Sequence, residues 1–147
     1  MSKRKAIKIV IDNKTLDRYN EYYFTNRPRA RVVPIKQPYH PSINQWMIMK
    51  RPAMNALKQK WKDFIVWVIE DEGLKDLKVD RCTMTFHVFY GTRRRHDVDN
   101  TVPKFILDGL CEAGLIVDDS DKNVCEITLR TGYDKDNPRT EIYIYEF

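Results

Sequence analysis

Two short acidic stretches carry the residue types best suited to chemistry. The first ends the run Arg93-Arg94-Arg95-His96-Asp97-Val98-Asp99-Asn100, and the second is Asp118-Asp119. In extended chain, residues two apart point to the same side, so Asp97 and Asp99 are expected to project together. Carboxylates that close repel one another, and neither is buried cheaply. A divalent cation resolves the conflict, and an oxygen-only ligand set suits Mg²⁺ or Mn²⁺. A helix of about 12 residues, roughly 18 Å long, separates the two stretches. Strand end, helix and return strand would then bring Asp119 back beside Asp97 and Asp99. Arg93, Arg94 and Arg95 are placed to contact phosphates beside the acids, which would otherwise repel a nucleic acid. A solvated turn is the plainer reading of the three arginines.

Other site chemistries fit less well. Asp97-Val98-Asp99-Asn100-Thr101 formally matches the Asp-x-Asp-x-Thr of haloacid dehalogenase phosphatases. That pattern follows an apolar strand, whereas Arg93 to His96 precede it here. Asp119, Asp121 and Asn123 mimic the opening of an EF-hand loop, which then fails at Val124 in place of Gly and Arg130 in place of Glu. His96 alternates away from Asp97 and reads as solvated or phosphate-facing. His40 and His87 have no evident partner. There is no glycine-rich phosphate loop and no nucleophile–base constellation. Cys82, Cys111 and Cys125 form no Cys-x-x-Cys pair, which excludes a zinc ribbon and reads as small buried thiols in a reducing cytoplasm.

The elements that must position these residues follow from periodicity. Ala6 to Ile11 alternates as a strand. Residues 13 to 40 mix Arg18, Arg27, Arg29, Arg31 and Lys36 with Tyr19, Tyr22, Tyr23, Phe24 and Tyr39, and Pro28, Pro34, Pro38 and Pro41 oppose a long helix. This stretch is expected to be a basic, aromatic-rich arm or loop in which Arg27, Arg29 and Arg31 contact DNA; a surface loop with its tyrosines packed inward is the alternative. A helix is expected from Pro52 to Gly73, with Met54, Leu57, Trp61, Phe64, Ile65 and Val68 on one face. Its last two turns are apolar nearly all round, which calls for packing within the domain or in a dimer interface. Strands are expected at Arg81–Tyr90 and Leu115–Val117, and a helix at Val102–Ala113 capped by Asn100 or Thr101. A final hairpin would pair Val124–Thr131 with Thr140–Phe147. The order reads as one α+β domain over residues 1–147, a small mixed sheet with two main helices.

Composition narrows the class further. The 147 residues suffice for one real core and are too few for two catalytic domains or a barrel of eight βα units. The longest apolar run, Phe64 to Ile69, is far short of the roughly 18 to 20 residues that cross a bilayer, and the basic start lacks a signal-peptide core. The net charge of +5 divides into +11 for residues 1–60 and −6 for the remainder. A basic half suggests a polyanionic partner, usually nucleic acid, or simply a solubilising surface.

The block from Arg93 to Asn100, followed by Lys104, Asp108, Leu110, Ala113, Gly114 and Asp118-Asp119, resembles the RusA family of Holliday junction resolvases. Pro41-Ser42-Ile43-Asn44 resembles that family's Pro-Ser-x-Asn segment, so the likeness spans about residues 41 to 125. The resemblance implies a RusA-like fold and a Mg²⁺-dependent endonuclease, with Mn²⁺ a possible substitute, that cuts branched DNA as a homodimer. It implies Asp97, Asp99 and Asp119 as catalytic metal ligands with Asp118 beside them, and Lys104 as the catalytic lysine. It implies Asn44 and Arg93 to Arg95 at the DNA. Lys104 lies four residues after Asn100, one more than in the family, with Pro103 inserted; it still precedes Asp108 by four. The family is bacterial and cytoplasmic and occurs in phages and prophages. A non-catalytic DNA-binding dimer and a nuclease for flaps or other branches are the alternatives.

Overall fold

The computed structural model describes residues 5–147. Strands β1 (Lys5–Asp12), β2 (Cys82–Tyr90), β3 (Val124–Tyr133) and β4 (Arg139–Glu146) form one mixed sheet in the order β1-β4-β2-β3. Helices α1 (Asn13–Asn26), α2 (Ile43–Trp46), α3 (Arg51–Asp71) and α4 (Lys104–Glu112) complete a single α+β domain. No helix among the described residues is long and apolar enough to cross a membrane.

Period-two alternation builds the sheet's inner face. On β2, Met84, Phe86 and Val88 are buried and stand opposite Ile144, Ile142 and Thr140 of β4. On β1, Ile9 and Ile11 continue that face opposite Ile142 and Thr140. Helix α3 contributes Trp61, Phe64, Ile65, Val68 and Ile69, and α4 contributes Phe105, Ile106 and Leu110, to one core cluster. The two helices meet closely at Gly109, where a Cβ would stand 2.6 Å from Cβ of Ile65. Gly73 and Gly114, with φ of 72° and 74°, take the left-handed conformation that stops α3 and α4.

Three expectations are corrected, and one open alternative is resolved. Residues 13 to 26 are helix α1, not arm, so the fold has three substantial helices instead of two. The first of the prolines is Pro28, beyond its end, and Asp12 caps its start by accepting from the Thr15 amide at 3.0 Å. The irregular part is confined to residues 27–42. Second, α1 explains the all-round apolar end of α3: its buried Tyr19 lies 4.9 Å from Phe64 and 5.3 Å from Trp67, ring centre to ring centre. Third, β3 and β4 are not a hairpin. β3 runs parallel to β2, and β4 fits antiparallel between β1 and β2. Residues 134–138 therefore cross the end of β2, where the Asp134 amide donates to the Tyr90 carbonyl at 2.9 Å. Fourth, Leu115–Val117 makes only a bridge between Ile116 and Val79.

Candidate metal and nucleic-acid site

Asn44 reaches the site through a capped turn. The Ser42 side chain accepts from the Gln45 amide at 3.2 Å and starts α2, which leaves Asn44 exposed. Asn44 lines a cleft of about 310 Å³ together with Ser42, Tyr90, Arg95, His96, Asp97 and Asn100. Residues more than 50 positions apart in the chain thus converge on Asp97. Within the cleft Arg95 Nε lies 3.3 Å from Asp97 Oδ1. His96 is half-buried instead of solvated: its ring stacks on Tyr90 with centres 3.5 Å apart, and its Nε2 is buried without a hydrogen-bond partner.

The neighbouring arginines lie outside the carboxyl ends of the parallel strands β2 and β3, the end of an open sheet where ligands usually sit. Arg93 covers the Tyr133 ring at 4.6 Å, and Arg93 and Arg94 line a groove of about 400 Å³ with Tyr90, His96 and Tyr133. Arg27 lies over the Tyr23 ring at 4.4 Å, just past α1. Arg27, Arg29 and Arg31 are all exposed.

Among the described residues, one group has ligand atoms all within 4.8 Å of one another, and it comprises Cys111, Asp118 and Asp119. Asp97 and Asp99 belong to no such group. Residues Val98–Thr101 form a 3-10 turn, so Asp97 is extended while Asp99 is not. β2 and β3 are also parallel, so the chain leaves β2 at the end of the ladder opposite to where it enters β3. Asp118 accepts from the Asp119 amide at 2.8 Å. Burial pushes the Cys111 thiol up to about 12, with the Asp119 and Asp118 carboxylates adding to the shift. A thiol held protonated is no ligand for Mg²⁺, whereas the two carboxylates, and the Asp97 and Asn44 oxygens of the cleft, are hard donors that fit it.

Lys104 stands exposed at the start of α4, with its Nζ 3.6 Å from Asp108 Oδ1. Lys58 of α3 approaches Oδ2 of the same carboxylate at 3.6 Å. Lys58 is therefore a charged neighbour of the site. The start of α4 lacks the expected Asn100 or Thr101 cap. His40 takes that role: its Nε2 accepts from the Phe105 amide at 3.0 Å. Nδ1 must then carry the proton, which it donates to the Pro41 carbonyl at 2.7 Å. The imidazole is packed against Phe105 and Trp61. Burial lowers its pKa to about 4, against the opposing pull of the Pro41 carbonyl and Asp108. A lone histidine in a proline-rich stretch offered no signal of this partner 65 residues away.

The three cysteines are unpaired; Cys82 is buried, Cys111 half-buried and Cys125 exposed, so the reading of three buried thiols holds for the first alone. No protein-family model and no curated protein matches the chain.

Proposed function

We propose that this protein is a Mg²⁺-dependent endonuclease that resolves Holliday junctions in branched DNA and works as a homodimer in a reducing, cytoplasmic setting, bacterial or phage-encoded. The observation that supports it best is the convergence of Asn44, Arg95, Asp97 and Asn100 on one cleft. These residues come from the two separate segments that resemble the RusA family, and nothing in their spacing required them to meet.

Arg93, Arg94 and Arg95 would bind phosphates along the groove, and each such contact releases counterions. The Asn44 and Asn100 amides would orient the backbone beside Asp97. Asp118 and Asp119, with Asp97 and Asp99, would hold Mg²⁺. When bound, the ion supplies an activated water and neutralises charge on the scissile phosphate. A phosphate entering the cleft would compete for Arg95 and release Asp97 from its ion pair. Lys104 would place its ammonium against the developing charge on the leaving oxygen, held there by Asp108.

A specific observation favours a second reading. Asp97 and Asp99 are not in the one close group of ligand atoms among the described residues, Cys111, Asp118 and Asp119, and a protein that binds branched DNA without cutting it would not need all four acids together. One assay separates the readings: four-way junctions, flaps and linear duplex incubated with Mg²⁺, Mn²⁺ or EDTA. Junction cleavage with either metal supports the resolvase, and preferential cleavage of flaps reassigns the nuclease. Asp99→Asn should bind junctions and fail to cut them; full cutting by that variant removes Asp99 from the site.

A further inference from the structure

Ile48 and Met47 are the two most exposed large hydrophobic side chains among the described residues, at 84 % and 66 %. Single exposed apolar residues are ordinary on a protein surface. These two are consecutive, and the chain around them is held in place. Ser42 caps α2, and the Met47 amide donates to the Ile43 carbonyl at 2.9 Å to close its last turn. Trp46 anchors that turn on the core, its ring centre 5.3 Å from that of Phe105. The Met49 amide then donates to the Trp46 carbonyl at 3.3 Å, so the pair sits in a hydrogen-bonded turn. An apolar pair on a pinned turn bears a standing cost in water, which a partner surface would remove.

The surroundings say what that surface is. Met47 follows Asn44 by three residues, about one helical turn, and Asn44 lines the Asp97 cleft. Helix α2 also packs against the Val98–Thr101 turn that follows Asp97. On the other side of the pair, Lys50 and Arg51 are exposed where α3 starts. An apolar tip between cations and a polar cleft matches a nucleic acid, whose phosphates meet the charges and whose base faces meet the tip. We propose that Met47 and Ile48 form an apolar wedge that seats against the open base-pair faces at a DNA branch point. The wedge rests on the branched-DNA reading and adds to it the feature that tells a branch from a duplex. In linear duplex each base pair is stacked on both sides, so entry of the wedge costs unstacking. At a branch point stacking is already interrupted, and the same burial comes without that cost. Lys50 and Arg51 bind phosphates of either DNA form and do not discriminate.

The test measures binding by the full chain in EDTA, without metal-dependent cutting. The probes are a four-way junction with 2-aminopurine beside the branch and a linear duplex with 2-aminopurine in the same sequence. The native chain should raise the fluorescence of the junction probe and leave the duplex probe unchanged. Met47→Ser/Ile48→Ser should bind duplex as tightly as the native chain, give no rise, and lose junction affinity on the order of tenfold. Met47→Leu/Ile48→Leu should keep both the rise and the preference for junctions. A serine variant that keeps them, or a leucine variant that loses them, overturns the wedge. So does an equal loss on both DNA forms by a serine variant that circular dichroism shows to be folded. A serine variant that turns a native dimer into a monomer in sedimentation also overturns it, and assigns the pair to contact between copies. The two failures are separable. A native chain that prefers junctions and cuts them in Mg²⁺, matched in both by the serine variant, loses the wedge alone; a native chain with no preference for junctions loses the resolvase reading as well.

Discussion

Acidification to about pH 5 should cost this fold on the order of 2 kcal/mol through His40 alone. The neutral ring caps α4 through Nε2 and donates from Nδ1 to Pro41, so both nitrogens are committed only when one proton is present. A second proton would sit on Nε2, facing the Phe105 amide with nothing to accept it. The folded pKa of about 4 lies below the ordinary 6.5. Between those values the unfolded chain holds a proton that the folded chain does not, so stability rises with pH across the window and falls as pH drops through it. The full gap is worth about 3 kcal/mol below pH 4 and roughly 2 at pH 5. The assay is urea unfolding at pH 7.5 and pH 5 for the native chain and for His40→Gln. The Gln side-chain oxygen can still accept from Phe105 but does not titrate. The variant should be less stable at pH 7.5 and should lose that much less on acidification. If both proteins lose equal stability, or if the His40 ring titrates near 6.5 by nuclear magnetic resonance, the capping argument is wrong.

Other outcomes follow from the same geometry. Gly109→Ala puts a methyl group 2.6 Å from Ile65 Cβ and should destabilise by about 1–3 kcal/mol in thermal or urea unfolding, because α3 and α4 must separate. Asp12→Ala removes the α1 cap and should cost about 1 kcal/mol in the same measurement. Replacing Arg27, Arg29 and Arg31 by Gln should weaken DNA binding and lower the slope of log affinity against log salt by about 0.9 for each phosphate that is no longer neutralised. An unchanged slope would assign these arginines to the solvated surface.

Elements were legible in the sequence where a single period ran uninterrupted. β1, β2 and α3 follow directly from alternation or from one apolar helical face, and their bounds shift by a few residues at most. Helix α1 was obscured because prolines at 28 and beyond coloured the reading of residues 13–26, although Leu16, Tyr19 and Tyr23 already recur at helical spacing. The strands β3 and β4 were legible as strands, but their neighbours were not. A short polar connection with turn residues signals a hairpin in sequence, yet five residues are long enough to step over one intervening strand.

The sequence by itself determined which residues could do chemistry: the spacing of Asp97, Asp99, Asp118 and Asp119, the flanking arginines, and the basic first half behind the net charge of +5. Side-chain type and separation along the chain carry that information. Tertiary structure decided which of them meet. Strand order puts the chain's exit from β2 and its entry into β3 at opposite ends of a parallel pair, and the loop after Pro38 delivers His40 to the start of α4 and Asn44 to the Asp97 cleft. These outcomes rest on pairings between segments tens of residues apart, which no local pattern encodes.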